Sequence, residues 1–541
     1  MKSRNVSEHK NSFVSYILLS MLVGVLTGVL IFCFKIAASH VIHSSERIYA
    51  FVRQNPVYIP LLLGGAIAIG VIAALILKFA RECRGGGIPT AVASIRGLIP
   101  LKWGQGIFVL FGSALLTYLV GVPLGNEGPS VQMGAGVGKS SSHLTGKRKL
   151  AWERYLMTGG ACAGFAIATG APLSGIVFAV EEAHRRFSVR LFAVASVAVV
   201  FGTITQRYLV FFFGGSTALF DDLTITTVMP MRYLWAAIIV GAVCGLCSLL
   251  FTRAYRTVKR LSKAFMDVVP FMAKIVIIFA VTALLGLVSA NFIGTGHSLI
   301  EEILHGKVIW YAVLLAFVVR AILMICANNE GVTGGIFIPN LAFGAMIASM
   351  IAEGLIALGL VDGQYYVILV VVGMASFLAA SSRTPITAVI FATEALCIAS
   401  NIIPVIFGVT VSYLIAEASG KMSFADTVIE SRAEAAHHGK TPLIVDSFMT
   451  VQKGAFADGM EIRDILWPST CAVLSVDRTA SHSVQQGEHQ IYAGDILHLH
   501  YQTYDPELTM QTLTAILGEQ PAEQLREQTH SGSDEHLVPA D

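Results

Sequence analysis

The chain has 541 residues, of which 55% are hydrophobic and 13% are charged, and its formal net charge is +2. Soluble globular proteins carry about 25% charged residues, so the composition excludes an ordinary soluble protein. It predicts a polytopic membrane protein surrounded by the lipid bilayer. The small net charge gives no sign of a nucleic-acid partner, and we expect none.

The N-terminal end predicts the orientation of the chain. Residues 1–11 are polar and basic, and Lys2, Arg4 and Lys10 favour a cytoplasmic tail by the positive-inside bias. The apolar run over residues 12–41 is too long for the core of a signal peptide, which has ~7–15 residues. It therefore predicts a retained first membrane helix in a multi-pass inner-membrane protein.

Further apolar stretches follow, and many are interrupted by glycine, proline or polar residues. Several are shorter than the ~20 residues that cross the hydrocarbon layer. Short and interrupted helices are typical of transporters with binding sites near the middle of the membrane. The stretches lie near residues 57–80, 105–123, 155–180, 190–214, 232–253, 270–294, 308–326, 335–360, 364–380 and 385–417.

The stretch from Leu124 to Met133 places a carboxylate, Glu127, in a strongly apolar region. Glycines at 125 and 128 free the backbone to leave helical geometry, and Pro129 suits the first turn of a new helix. A lone acid at this depth is either functional or paired. The pattern predicts a broken helix whose N-terminal amides form an anion site, with the Glu127 carboxylate lying over them.

An internal repeat is visible in the sequence. The segment 160–181 and the segment 373–394 share a glycine, a proline, a Phe-Ala pair and a final glutamate, Glu181 or Glu394, at identical spacing. The Gly125 to Pro129 stretch is matched in the same way by Gly335-Ile-Phe-Ile-Pro339. The two matches predict duplicated halves of about 55–215 and 232–417, with a binding site between paired broken helices.

Four motifs together resemble the CLC family of chloride channels and proton-coupled chloride transporters. They are Gly85-Gly-Gly-Ile-Pro89, Gly125-Asn-Glu-Gly-Pro129, Gly335-Ile-Phe-Ile-Pro339 and the block from Ala171 to Glu182, in family order. The resemblance covers residues 12–432. It implies an all-α membrane domain of two inverted repeats of tilted, broken helices. It also implies a homodimer with an anion pathway in each subunit.

The resemblance also implies roles for particular residues. Glu127 corresponds to the gating glutamate, and Glu182 corresponds to the acid that passes protons on the cytoplasmic side. For Glu182 the alternative is an exposed acid at a helix end, with little energetic effect. The residues expected around the anion are Gly86, Gly87, Ile88, Gly125, Asn126, Gly128, Ile336, Phe337 and Phe424.

Three positions depart from the family pattern. Gly86 replaces the usual Ser or Pro, Asn126 replaces the usual Arg, and Phe424 falls where a pore-lining Tyr is usual. Two hydroxyl groups that would contact the anion are therefore missing, so the site would depend on backbone amides and apolar contacts. Chloride is the expected anion, and fluoride or nitrate transport is the alternative.

The composition changes after about residue 431. Residues 438–518 contain alternating segments such as 471–476 and 496–501, separated by turn signals. This pattern predicts a small cytoplasmic α/β domain, and its order resembles the TrkA-C module of potassium-conductance regulators. That resemblance implies dimerisation and a small regulatory ligand, with cyclic di-AMP the leading candidate. Residues 519–541 are polar and acidic and predict a disordered tail.

The observations support three classes of function, an antiporter, a channel and an enzyme, to different degrees. We expect proton-coupled chloride antiport gated by Glu127, because Glu182 matches the acid that passes protons in the proton-coupled members. A passive anion channel, gated by voltage or ligand, is the alternative, because the missing hydroxyl at Phe424 would loosen coupling. The sequence contains no recognisable catalytic motif. Its one Cys-x-x-Cys pair, Cys244 and Cys247, has no second pair and no histidine nearby, so it predicts apolar packing, and we expect neither an enzyme nor a cofactor.

Overall fold

A computed structural model describes residues 2–85, 87–143, 150–220, 223–264, 268–437, 442–468, 471–478, 481–484 and 489–520. Side chains are described in these ranges except for 2–13, 82, 150 and 481–484. The helices are α1 (Lys2–Gln54), α2 (Ile59–Phe79), α3 (Ile88–Ile95), α4 (Trp103–Val120), α5 (Glu127–His143), α6 (Leu150–Thr169), α7 (Pro172–Phe178), α8 (Val189–Phe213), α9 (Leu234–Ala264), α10 (Phe271–Val288), α11 (His297–Leu304), α12 (Trp310–Asn329), α13 (Phe337–Ala357), α14 (Tyr366–Ser382), α15 (Pro385–Ala395), α16 (Ile402–Ala418), α17 (Phe424–Ala436) and α18 (Pro506–Leu517). The strands are β1 (Leu443–Thr450), β2 (Ala472–Arg478), β3 (Ser481–Val484) and β4 (Ile496–Thr503).

The membrane domain is helical, as the sequence predicts. Within the described residues, 10 helical segments are long and apolar enough to cross a membrane. Two predicted stretches are each divided into two helices. The stretch 155–180 breaks at Gly170, whose φ of +70° ends α6 just before Pro172 starts α7. The stretch 385–417 breaks near Cys397, whose φ is +52°.

The N-terminal boundary differs from the one expected from composition. Helix α1 begins at Lys2 and has 53 residues, so residues 2–11 of the predicted cytoplasmic tail are helical, while the part apolar enough to cross a membrane starts at Val14. It packs against α6 and α8, as α9 packs against α14 and α16. On this packing α1 corresponds to α9, although the repeat bounds drawn from sequence start only near residue 55.

Equivalent glycines repeat the same close contact in both halves. A Cβ added to Gly134 of α5 would lie 2.1 Å from the Gly160 carbonyl oxygen on α6. In the second half, a Cβ on Gly344 of α13 would lie 2.3 Å from the Gly373 oxygen on α14. Small residues allow helix backbones to approach closely in membranes, where no hydrophobic driving force holds helices together. These contacts explain the glycines shared by the two copies of the repeat.

Two glutamates join the halves by capping each other's helices. Glu181, at the end of the first copy, accepts hydrogen bonds from the amides of Ile386 and Thr387 at the start of α15, at 2.9 and 2.6 Å. Glu394 accepts bonds from the amides of Leu173 and Ser174 at the start of α7, both at 2.9 Å. A carboxylate at a helix N-terminus satisfies unpaired amides and favours the helix dipole. This reciprocal exchange is the contact pattern that two halves related by a two-fold axis would make.

A small domain with one sheet follows the membrane helices. The strand order is β1-β4-β2-β3, and every described pairing is antiparallel. Leu497, Leu499 and Tyr501 alternate along β4 and pack with α18 in one core. The predicted strands near 471–476 and 496–501 lie in β2 and β4. Its identity as a TrkA-C module stays a prediction, and residues 521–541 of the expected tail lie outside the described residues.

Candidate functional site

Glu127 is the first residue of α5 and is only 1% exposed. Its carboxylate interacts with its own backbone amide and with the amide of Ile338 in the first turn of α13. One carboxylate oxygen, Oε2, is buried without a hydrogen-bond partner in the described part of the chain. A buried carboxylate with an unbonded oxygen is costly unless the group is neutral or finds another partner. The side chain therefore lies over helix N-terminal amides, as the sequence pattern predicts. Because Oε2 has no partner among the described residues, hydrogen bonds do not fully fix the carboxylate there.

Three glycines from three separate motifs meet beside Glu127. A Cβ on Gly128 would lie 2.6 Å from the Cα of Gly335 and 2.7 Å from the Cα of Gly87. Real Cβ atoms are not found that close to other atoms, so only glycine fits at this position. Gly87 caps α3, Gly128 lies in the first turn of α5, and Gly335 comes two residues before α13. The N-termini of three helices consequently converge on one point.

The backbone of the motif Gly125–Pro129 is hydrogen-bonded to the backbone of the motif Gly335–Pro339. Gly125 and Gly335 form an isolated antiparallel bridge, with N–H to O distances of 2.7 and 2.6 Å. The two residues are equivalent in the repeat, so they pair where a two-fold axis would pass. The buried Tyr118 donates a hydrogen bond of 2.9 Å to the Gly125 carbonyl oxygen. These bonds satisfy polar backbone groups that would otherwise be unpaired within the membrane domain.

The remaining residues expected around the anion lie on the same three helix starts. Ile88, Ile336 and Phe337 are each at most 4% exposed. The Phe337 ring packs edge-on against Phe165 and Phe391, with centroids 5.1 and 5.0 Å away. Helix N-termini of this kind bind anions because their free amides and dipoles point at the ligand. The arrangement can therefore bind an anion in an apolar setting.

Asn126, Gly86 and Phe424 are the departures from the family pattern. The Asn126 carbonyl accepts bonds from the Ser130 amide and hydroxyl, at 3.2 and 2.8 Å. Phe424 is the first residue of α17, is 1% exposed, and packs edge-on against Phe251 with centroids 5.0 Å apart. Gly86 lies outside the described residues.

Glu182 lies apart from this cluster, in a π-helical turn over Ala179–Ala183 that continues α7. Arg96, at the C-terminal end of α3, donates bonds to the Glu182 and Ala183 carbonyl oxygens at 2.8 and 2.9 Å. The other end of α3 carries Gly87. Because α3 has eight residues, Glu182 is separated from the glycine cluster by about 12 Å of helix.

Several neighbours of the site could not be identified from the sequence. Asp426 on α17 lies 3.8 Å from Arg96 and 2.6 Å from Arg185, so it joins α17 to the Glu182 segment. Lys35 on α1 acts electrostatically on Glu127 and donates to the Ala218 carbonyl oxygen at 3.5 Å. Neither Lys35 nor Tyr118 belongs to a motif. An isolated charge within an apolar run was the one signal that could have indicated Lys35.

Comparison with known proteins identifies the family. The model of the family described as voltage gated chloride channel matches residues 69–417, which is more than half of the chain. The chain belongs to this family. The match includes all three glycine motifs, Glu127 and Glu182. Members of the family are transporters and channels, which agrees with the expectation that the protein is not an enzyme.

Curated members of the voltage gated chloride channel family are similar over most of their length. The H(+)/Cl(-) exchange transporter ClcA of Citrobacter koseri is 27% identical over 436 residues, covering 79% of this chain and 90% of that protein. The ClcA of Salmonella arizonae is 27% identical over 455 residues, covering 81% and 94%.

Solved structures show the same fold. A slow cyanobacterial Cl-/H+ antiporter is 24% identical and covers 77% of this chain and 98% of its own, with a TM-score of 0.70. A CLC-type fluoride/proton antiporter is 20% identical and covers 75% of this chain and 96% of its own, with a TM-score of 0.61. At this identity the likeness concerns the fold alone.

The glycine contact can be tested with Gly128→Ala. The added Cβ would collide with the Gly335 and Gly87 backbones, and such overpacking costs typically about 1–3 kcal/mol. We expect anion flux in liposomes to fall at least about tenfold, because a misplacement of about 1 Å at a functional site has effects of this size. Gly112→Ala in α4, where a Cβ meets nothing within 4 Å, should keep the wild-type flux. A wild-type rate for Gly128→Ala would contradict the three-helix site.

Proposed function

We propose that the protein exchanges protons for chloride, or a related monovalent anion, across the membrane, with Glu127 as the gate. The observation that carries the proposal is a buried carboxylate with an unbonded oxygen at the point where three helix N-termini meet. The amides that attract this carboxylate would attract an anion equally. Family membership and the exchange activity named for the ClcA relatives support the same function.

In this proposal, gating is a competition for the helix amides. The ionised Glu127 carboxylate occupies the place that a permeating anion needs, and it must leave or be protonated before the anion can pass. Protonation removes the attraction to the amides, and the unbonded Oε2 provides the atom that receives the proton. The close backbone contact of Gly87, Gly128 and Gly335 leaves no room for a side chain that would block this movement.

Glu182 is proposed to deliver protons from the cytoplasmic side. Its backbone is held by Arg96 at the C-terminal end of α3, a helix that begins beside the anion site. Asp426, near the start of α17, pairs with Arg96 and with Arg185, three residues after Glu182. Packed aromatic rings, Phe165 and Phe178, lie parallel with centroids 5.5 Å apart between α6 and α7. Phe178 directly precedes the turn that carries Glu182, and Phe165 packs against Phe337 at the anion site, so we propose that these rings form an apolar layer between the two acids.

A passive anion channel is the second candidate. It is favoured by Phe424, which has no hydroxyl and packs edge-on against the rings of Phe251 and Tyr255. Fewer side-chain hydrogen bonds to the anion would weaken binding of the anion at the site and loosen the coupling between anion and proton movement. Nitrate should then permeate nearly as well as chloride, and fluoride, which dehydrates at greater cost, should permeate poorly.

We further propose a homodimer in the inner membrane, with both termini in the cytoplasm. The side chains of Leu173 on α7 and Ile386 on α15 leave each residue 59% exposed, although the backbone amide of each donates to the capping glutamate of the opposite repeat. The two equivalent apolar residues offer a symmetric surface for a second copy. A two-fold interface needs this kind of self-complementary patch.

The C-terminal domain is proposed to regulate transport through its contact with the Glu182 segment. Asp464 lies next to the start of α8: its carboxylate accepts a bond of 2.8 Å from Ser188 and lies 3.9 Å from Arg190. The Asp464 carbonyl accepts a bond from Tyr155 of α6. A small cytoplasmic ligand such as cyclic di-AMP would change flux only if it binds the docked and undocked forms unequally.

Glu127→Gln tests the gate. Glutamine mimics the protonated acid in shape and charge, so anion flux should persist while proton movement disappears. Both fluxes would be measured together in liposomes containing the purified protein. The matched control is Glu353→Gln, which should keep the wild-type coupling because Glu353 lies 16 residues after the first residue of α13, about 24 Å along that helix from the site. Proton-driven uptake at the wild-type ratio in Glu127→Gln would exclude Glu127 as the gate.

Glu182→Gln separates a proton relay from a surface acid, and Glu181→Gln is its control. Glutamine cannot take up and release a proton, so Glu182→Gln should abolish proton movement. It should leave thermal stability nearly unchanged, because Glu182 bonds to Arg96 through its backbone. Glu181 caps α15, so its replacement should lower stability by about 1 kcal/mol and keep the coupling ratio. If Glu182→Gln keeps the wild-type coupling ratio, the relay assignment fails.

Asp464→Asn tests the regulatory contact. Loss of the charge should weaken the bond to Ser188 and the attraction to Arg190, so the flux rate should shift in the direction produced by deleting residues after His437. Asp446→Asn is the control, because Asp446 pairs with His498 and His500 inside the sheet domain. A deletion that changes the rate while Asp464→Asn does not would place regulation elsewhere in the domain.

A further inference from the structure

A buried arginine lies directly behind the first glycine motif. Arg432 is on α17 and is 8% exposed. A Cβ on Gly85 would lie 2.6 to 2.7 Å from three atoms of its guanidinium, and a Cβ on Gly331 would lie 3.4 Å from one of its terminal nitrogens. The guanidinium therefore fills the space between the loop that precedes α3 and the loop that precedes α13.

Two hydrogen-bond donors at this place have no good acceptor. One terminal nitrogen of Arg432 donates to the Asn328 carbonyl, but its Nε is buried without a partner in the described chain. The Tyr255 hydroxyl, on a side chain that is 0% exposed, likewise has no well-formed hydrogen bond among the described residues, although Ser431 lies beside it. Buried donors without acceptors are rare in native structures and point to a missing partner.

The charges around these donors are mostly positive. Arg84 and Arg432 both lie against Gly331, where an added Cβ would lie 2.9 Å from the Arg84 Cβ and 3.4 Å from a terminal nitrogen of Arg432. Lys274 lies 3.8 Å from Glu330. Glu330 is the acid of this group, and its carboxylate accepts bonds from Ser262 at 2.5 Å and from Asn329 at 3.1 Å. One carboxylate that is already bonded does not neutralise three buried or half-buried cations. A water molecule could accept both free hydrogen bonds, but only an anion would also balance the charge.

We propose that Arg432 and Tyr255 form an additional anion site, which binds chloride or a similar monovalent anion between the Arg432 Nε and the Tyr255 hydroxyl. The proposal rests on the proposed anion transport and names a further stop on its pathway. The Tyr255 ring packs edge-on against Phe424 with centroids 5.3 Å apart. The Tyr255 side chain therefore places a phenol next to the start of α17, where Phe424 provides no hydroxyl group.

The site differs in chemistry from the three-helix site. There, backbone amides face the anion, whereas here a guanidinium provides full charge and a directed N–H group. A charged site of this kind raises the local concentration of anions. Anions of similar size should compete for it, and neutral or cationic solutes should be excluded.

Crystals of the full-length protein grown with bromide give the direct test. Bromide scatters anomalously, and we expect an anomalous peak within hydrogen-bond distance of both the Arg432 Nε and the Tyr255 hydroxyl. A water molecule at that position, with anomalous peaks only elsewhere, would overturn the proposal. The result does not depend on proton coupling, so a bound bromide would stand even if the protein proved to be a passive channel.

Chloride affinity gives a second measurement, from the dependence of the melting temperature on chloride with gluconate as the replacement anion. Tyr255→Phe keeps the ring packing and removes one hydrogen bond, so the apparent chloride Kd should rise about fivefold. Tyr49→Phe is the control, since Tyr49 is buried and bonds to the Val120 carbonyl at 2.7 Å. It should lower the melting temperature at every chloride concentration and leave the Kd unchanged. Equal Kd values for the wild type and Tyr255→Phe would contradict the proposal.

Arg432→Gln extends this test. It should weaken chloride binding more than Tyr255→Phe does, because it removes both the charge and the Nε–H group. If the two side chains share one anion, the double variant should bind chloride no more weakly than Arg432→Gln alone. Fully independent effects of the two substitutions would exclude a shared anion. Should Arg432→Gln fail to fold, Tyr255→Phe and the bromide crystals still decide the question.

Discussion

The contact among three glycines is the constraint on which the rest of the membrane domain depends. Gly128 lies against the backbones of Gly87 and Gly335, and a Cβ on either Gly128 or Gly335 would come within 2.6 Å of a backbone atom of the other, so this packing requires glycine at both positions. The contact directs three helix N-termini to one point and places the Glu127 carboxylate over their amides. Bringing several positive helix ends together is unfavourable without a negative partner. Either the ionised Glu127 carboxylate or a bound anion can supply this negative charge, and the anion can replace the carboxylate once the carboxylate is neutralised.

The capping glutamates keep this geometry rigid from a distance. Glu181 and Glu394 each belong to one repeat and cap a helix of the other, so neither half can shift without breaking the bonds of both. The Gly125–Gly335 bridge holds the halves together at the centre. Glu182 directly follows Glu181, so the acid proposed to carry protons sits next to a fixed point. The C-terminal domain contacts the start of α8, a few residues further along the same segment.

Much of the fold could be read from the sequence, and the reasons for the misses are physical. The glycine motifs and the two copies of the repeat are local patterns, so they indicated the broken helices and the position of Glu127. The contact of Gly87 with Gly128, the crossing of Glu181 and Glu394, and the burial of Arg432 join residues far apart in the chain. Such contacts depend on how the helices pack, which no local pattern records. Helix α1 was placed too late because its first residues are polar, and composition alone does not show that a polar segment continues a helix.

Proton movement driven by a chloride gradient alone tests the central claim most directly. Liposomes containing the purified protein would be loaded with high chloride and diluted into low chloride, with equal pH on both sides and the voltage clamped at zero by potassium and valinomycin. The account predicts that chloride efflux drives proton uptake into the liposomes, seen as alkalinisation outside. Chloride efflux without any proton movement under the same clamp would show a passive channel and contradict the account.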